Sequence, residues 1–194
     1  MPLPVTNYVP QTARPEGASR RVALAWLAAA VASSSAVGLL LLAPALAAGG
    51  YGWAATFVYR VFAGLCHQQA ERSFTFAGHA LAVCARCTGM YAGFAACVVL
   101  YPLARPLGRS AATPARAWLA LALLPTAVDF LLNAAGLWSN THLSRAATGV
   151  VAGAGAAFFA LPGLLELGQS FGRPARSSSS NLLAPGRRAG GLST

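Results

Sequence analysis

Long runs without a charged residue decide what this chain can fold into. No Asp, Glu, Lys, Arg or His occurs from Val22 to Tyr59, from Cys87 to Ala104, or from Ala146 to Leu165. Ala117 to Leu137 carries one charge, Asp129. An α-helix crosses the hydrocarbon core with about 20 mainly apolar residues, because there every backbone polar group must bond within the segment. We therefore expect an all-α polytopic membrane protein with four spans, near 22–46, 85–104, 117–137 and 144–167. Composition agrees: only 9% of the 194 residues are charged, against about 25% in a soluble domain.

The net charge of +10 comes entirely from arginine, since the chain has no lysine. Arg14, Arg20 and Arg21 precede the first span, Arg105, Arg109 and Arg116 join the second to the third, and Arg173, Arg176, Arg187 and Arg188 follow the fourth. The opposite side holds Arg60, Arg72, Arg86 and Arg145. The positive-inside rule then puts both termini in the cytoplasm of a multi-pass cell-membrane protein and the segment between the first two spans outside. The bilayer is the expected partner. Nucleic-acid binding is set aside, because no folded soluble domain remains to present a basic face. Ala43-Pro44-Ala45-Leu46-Ala47-Ala48 resembles a signal-peptidase site, but the apolar run before it far exceeds the roughly 7–15 residues of a signal sequence. The first span is read as retained.

Residues 1–19 and 170–194 are rich in Pro, Ser, Gly and Arg and lack periodicity, so both are expected as disordered cytoplasmic tails around a membrane domain at 20–169. Residues 50–65 are apolar and aromatic but too short to span. Trp53, Tyr59 and Arg60 suit the headgroup level, so a short helix at the outer interface is expected there, delivering Cys66 to the membrane edge. Gly89 with Gly93 and Gly149 with Gly153 allow close helix approach without naming the partner helix. Pro125 removes a backbone hydrogen bond four residues before Asp129.

The chemistry concentrates in the outer loop, residues 60–90. Three of the four cysteines (Cys66, Cys84 and Cys87) and two of the three histidines (His67 and His79) lie within it. Cys84 and Cys87 stand one helical turn apart where the second span begins, so their side chains share a face. Cys66, Cys84 and Cys87, with His67 or His79, make a tetrahedral set suited to zinc, with copper or iron as other soft-metal choices. The same cysteines could instead cycle between dithiol and disulfide, Cys66 resolving and a membrane quinone accepting electrons. A third reading is a disulfide that merely staples a structural or transport protein in an oxidising compartment, though three loop cysteines leave one over. Haem attachment is excluded because Thr88 stands where Cys-x-x-Cys-His needs histidine. Cys97, in mid-span, reads as an apolar filler. His142 reads as a solvated turn residue, and Glu166 as interfacial.

Asp129 is the sharpest residue within the spans. A carboxylate there costs on the order of 3 kcal/mol by insertion scales, so it implies a function or an ion pair. Arg145 near the outer end of the fourth span is the expected partner. Arg86 near the outer end of the second can join them under the loop and lower the thiol pKa values.

At these residues a family resemblance emerges. Cys66-His67-Gln68, Arg72-Ser73-Phe74, Gly78-His79, Cys84-Ala85-Arg86-Cys87-Thr88-Gly89 and Tyr91-x-Gly93 resemble the signature of a small prokaryotic membrane family, domain of unknown function twenty eighty-five. Leu124-Pro125, Asp129, Ser139-Asn140, Arg145 and Thr148-Gly149 resemble its second block. Ala70 and Phe130 depart from the family's usual Pro and Gly. The resemblance covers roughly residues 60–155 and implies a multi-helix membrane protein with no assigned activity. In architecture alone the chain is also similar to quinone-linked disulfide oxidases of the bacterial envelope, which pair an outward Cys-x-x-Cys with a second outer cysteine pair. This chain offers only Cys66.

Overall fold

The computed structural model of the protein describes residues 16–104 and 116–170. Among these lie five α-helices: α1 (Glu16–Ala48), α2 (Gly52–Ala63), α3 (Ala85–Ala104), α4 (Arg116–Ala134) and α5 (His142–Ser170). Four of them, all but α2, are long and apolar enough to cross a membrane. The four expected spans are therefore present: α3 has the expected bounds, α1 and α5 extend beyond theirs at both ends, and α4 begins one residue early and stops three residues short of 137. The arginine loop at 105–115 and most of both expected tails lie outside the described residues; α1 already begins at Glu16.

Glycines stop two of these helices in the same way. Gly50 (φ 80°) and Gly136 (φ 70°) take left-handed conformations. After them Tyr51 N–H bonds Leu46 O at 2.9 Å and Leu137 N–H bonds Leu132 O at 3.0 Å. These bonds satisfy carbonyls that a helix end otherwise leaves open. α2 follows the first stop at once. It buries Ala55, Val58 and Phe62 on one face, while Trp53, Phe57 and Val61 stay exposed on another. The expected short helix at 50–65 is thus an amphipathic helix packed along α1.

The bundle is built on α3 and α5. A Cβ on Gly89 or Gly93 would collide with the backbone of Ala146 or Val150, and one on Gly149 or Gly153 with that of Arg86 or Met90. The two small-residue pairs seen in the sequence therefore face each other and let the helix backbones touch. In a bilayer, where lipid is as apolar as leucine, such close packing supplies much of the helix association. Gly93→Val is expected to push α3 off α5 at an overpacking cost of about 1–3 kcal/mol or more. A Gly38→Val control, whose added Cβ meets nothing within 4 Å, should leave thermal unfolding in detergent unchanged. Equal melting temperatures for the two variants would contradict this packing.

α1 lies across this pair and packs in two regions. Toward the chain's N-terminal end, Val22 and Ala30 pack on Val98, Tyr101, Ala157 and Leu161. Toward the loop, Leu40 and Ala43 pack on Val58, Phe62, Cys66 and Val83. Pro102 inside α3 cannot donate the bond that Val98 O would accept. Trp26 of α1 donates its indole N–H to that carbonyl instead, at 2.8 Å. The proline's cost thus becomes an interhelical tie. α4 is the loosest member of the four: Asp129 is its only buried residue, and Leu121, Leu124, Val128 and Leu131 are exposed, as lipid-facing side chains are.

Candidate metal centre

The loop between α2 and α3 is held by polar ties that make three sulfurs converge. Cys66 follows the end of α2, its N–H bonding Phe62 O at 3.0 Å. Gln68 then takes a left-handed backbone, φ 49°. That turn sends its amide back to donate to Tyr59 O at 2.7 Å and Ala82 O at 2.8 Å. Tyr59 adds a bond from its hydroxyl to Ala80 O at 2.6 Å, and its burial raises the phenol pKa above the ordinary value. Between these ties a turn over Ala70–Arg72 leads to a two-stranded antiparallel hairpin. β1 (Thr75–Phe76) and β2 (His79–Ala80) are joined by Ala77 and Gly78, both at positive φ, the geometry of a tight hairpin turn. The returning segment Leu81-Ala82-Val83 is buried and leads straight into Cys84 at the head of α3.

The thiols of Cys66, Cys84 and Cys87 come within 4.8 Å of one another. All are unbridged, so the structure forms no staple among them. Cys84 N–H points at Cys66 Sγ at 3.3 Å, a backbone donor suited to a thiolate. The Cys84 thiol is pushed down to about 5, first by its hydrogen bond with the Cys87 thiol and also by bonds from Cys66 and the Arg86 backbone. Thiolate is the form that binds a metal.

Neither histidine gathers with the thiols. His67 is exposed and lines a cleft of about 430 Å³ that Cys66, Cys84 and Cys87 also line. His79 is exposed on β2 and is not among the residues that gather with the thiols.

Asp129 pairs with Arg86, correcting the expected partner Arg145. Arg86 Nη2 lies 2.5 Å from Asp129 Oδ2, and its guanidinium stacks 5.9 Å from the Phe130 ring. Asn140 also donates to the Asp129 carboxylate at 2.7 Å and to its backbone carbonyl at 3.0 Å. Arg86 enters at the first turn of α3 with a side chain long enough to cross to α4. Arg145 lines the cleft beside it, and its buried Nε has no hydrogen-bond partner among the described residues. Arg86 is thus turned toward a carboxylate, and the Cys84 shift arises from hydrogen bonds rather than from that charge.

Three other residues differ from expectation or were not singled out. His142 is exposed but tied: its Nε2 lies 3.1 Å from Glu71 O and its ring 5.7 Å from Phe74, so it clamps the loop to α5. Gln68 and Asn140 organise the loop and the ion pair, yet nothing in their spacing marks an amide as structural. Cys97 packs against the core shared by α1, α3 and α5, away from the other thiols.

Four apolar helices and a polar, thiol-bearing cap on one end define a multi-pass membrane protein. The chain belongs to the family described as predicted membrane protein (DUF2085), whose model matches residues 66–159, the stretch that holds the thiols, the ion pair and the α3–α5 glycines. An uncharacterized protein of Methanocaldococcus jannaschii is 37% identical over 110 residues, covering 57% of this chain and 70% of that protein. A second uncharacterized protein, of Methanothermobacter thermautotrophicus, is 38% identical over 96 residues, 50% of this chain and 84% of that protein. No solved structure matches the chain.

Proposed function

We propose that the cap is a transition-metal centre at the extracytoplasmic membrane face, with Cys66, Cys84 and Cys87 as thiolate ligands and zinc as the metal. The observation that carries this reading is the convergence of the three sulfurs from two separate elements, with a backbone N–H already bonded to one of them. Three thiolates leave one tetrahedral position, the arrangement of sites that keep a place for a fourth ligand. His67 lines the cleft that the three cysteines also line, which supports His67 over His79 as a fourth donor, reached by a turn of its exposed side chain.

Metal analysis of the detergent-purified protein tests this. About one metal per chain is expected, lost in Cys87→Ser, reduced in His67→Ala and unchanged in His79→Ala. Metal-free protein with titratable thiols that vanish on oxidation would contradict it and favour a redox centre. One observation speaks for that second reading: Cys66 and Cys87 also line a mainly apolar cavity among α1, α3 and α5. There two thiols could become a disulfide as a quinone takes up two electrons and two protons.

Orientation rests on the arginine asymmetry, which places both termini inside and the thiol cap outside. The exposed Trp53, Phe57 and Val61 of α2 fit a helix resting in the outer interface. A periplasm-type reporter fused after residue 75 should be active and one after residue 110 silent. The reverse pattern would invert this topology.

A further inference from the structure

Two cavities meet at the thiols, and their walls differ in kind. The upper cleft has a mixed wall that includes Arg72, Arg86, Arg145, His67 and Asn133 beside Leu65 and Phe130. The Asp129 carboxylate beside it is already engaged by Arg86 and Asn140. Arg86 Nε and Arg145 Nε are buried without hydrogen-bond partners among the described residues. Two helix N-termini, those of α3 and α5, sit beside these side chains and add positive potential. The cleft thus holds more cationic than anionic groups, with donors left over. A buried donor without a partner is costly, so such a cleft favours an anion.

The second cavity, about 650 Å³, lies below and is walled almost wholly by carbon. It lies between two packing regions of α1, one at Val22–Ala30 and one at Leu40–Ala43. Along the cavity α1 presents Ala29, Ala32, Ser33 and Ala36, side chains too small to fill the gap. Leu65, Cys66 and Cys87 belong to the walls of both cavities.

We propose that the two cavities form one site for a single-chain anionic amphiphile. Its phosphate-class head sits among Arg72, Arg86 and Arg145, and its apolar tail runs between α1, α3 and α5. Arginine's planar fork matches a tetrahedral oxyanion in two-point contacts. Basic pockets between membrane helices are known to hold anionic lipid heads. The tail explains the lower cavity, which a free inorganic anion leaves unused. The head lies beside the sulfurs, so the ligand sits within reach of whatever the thiols hold. This inference does not depend on a metal being bound.

The test uses the full-length protein in a neutral maltoside detergent and titrates dodecyl phosphate by calorimetry. Inorganic phosphate, dodecyltrimethylammonium and a neutral short-chain quinone are the comparison ligands. Dodecyl phosphate should bind saturably and at least tenfold more tightly than any of the three. Arg145→Gln should weaken it about tenfold, the usual scale for losing one charged contact. Arg72→Gln, at an exposed position that folding does not need, should weaken it severalfold. Ala36→Phe, which fills the lower cavity, should weaken dodecyl phosphate while leaving inorganic phosphate as it was. Equal affinity for the cationic or the neutral ligand would overturn the anionic head. Equal affinity for inorganic phosphate, or indifference to Ala36→Phe, would overturn the tail. Unchanged binding in both arginine variants would overturn the site.

Discussion

Cys66→Ser and Cys84→Ser are each expected to strip the metal and to lower the melting temperature by about 8–16 °C. Two steps give that magnitude. A metal present at 1,000 times its dissociation constant stabilises the folded state by about 4.1 kcal/mol. For a chain of this size each kcal/mol moves the melting temperature by roughly 2–4 °C. Cys66 hangs from the end of α2 and Cys84 heads α3, so a metal shared between them ties the loop across 18 residues of sequence. Binding free energy at such a site becomes folding free energy. Cys97→Ser, which leaves the three gathered thiols intact, should keep its metal. Differential scanning of metal-loaded and chelator-treated protein measures the effect. If the cysteine variants melt with the wild type and chelator shifts neither, the thiols do not hold the loop through a metal.

Asp129→Asn is expected to cost about 3 kcal/mol, at the low end of the roughly 3–5 kcal/mol for breaking a buried ion pair. The low end applies because Arg86 keeps 21% of its side-chain surface exposed, against 9% for Asp129, and water screens part of the loss. Arg86→Gln should cost a similar amount. The double variant should recover part of the sum, because removing both partners leaves no stranded charge. Arg145→Gln combined with Asp129→Asn should simply add, since Arg145 makes no ion pair with that carboxylate among the described residues. A double-mutant cycle in thermal unfolding reads both couplings. Coupling to Arg145 and none to Arg86 would contradict the pairing.

The spans were legible in the sequence because an uncharged run of spanning length has one low-energy fate in a bilayer. Gly89, Gly93, Gly149 and Gly153 were legible as a pattern but not as a pair, since which helices touch depends on the whole bundle. The thiol cluster was legible in part. Spacing put Cys84 and Cys87 on one turn, but bringing Cys66 to them needs the left-handed backbone at Gln68 and its two amide bonds. Neither follows from residue type. Neither histidine stands among the gathered thiols, and spacing alone does not rank His67 against His79. The Asp129 partner was misassigned because sequence depth on neighbouring spans does not say which long side chain reaches across. Asn140, which helps hold that carboxylate, lies in a short turn whose geometry appears only once α4 and α5 are in place.

X-ray absorption at the metal edge of the purified protein counts ligands by element and distance. Three sulfur neighbours at about 2.3 Å and one lighter neighbour at about 2.0–2.1 Å are expected around zinc, with one sulfur lost in Cys66→Ser protein that is reloaded with excess metal. A chain that purifies without metal and cannot be loaded, or a bound metal with no sulfur shell, would contradict the thiolate metal centre.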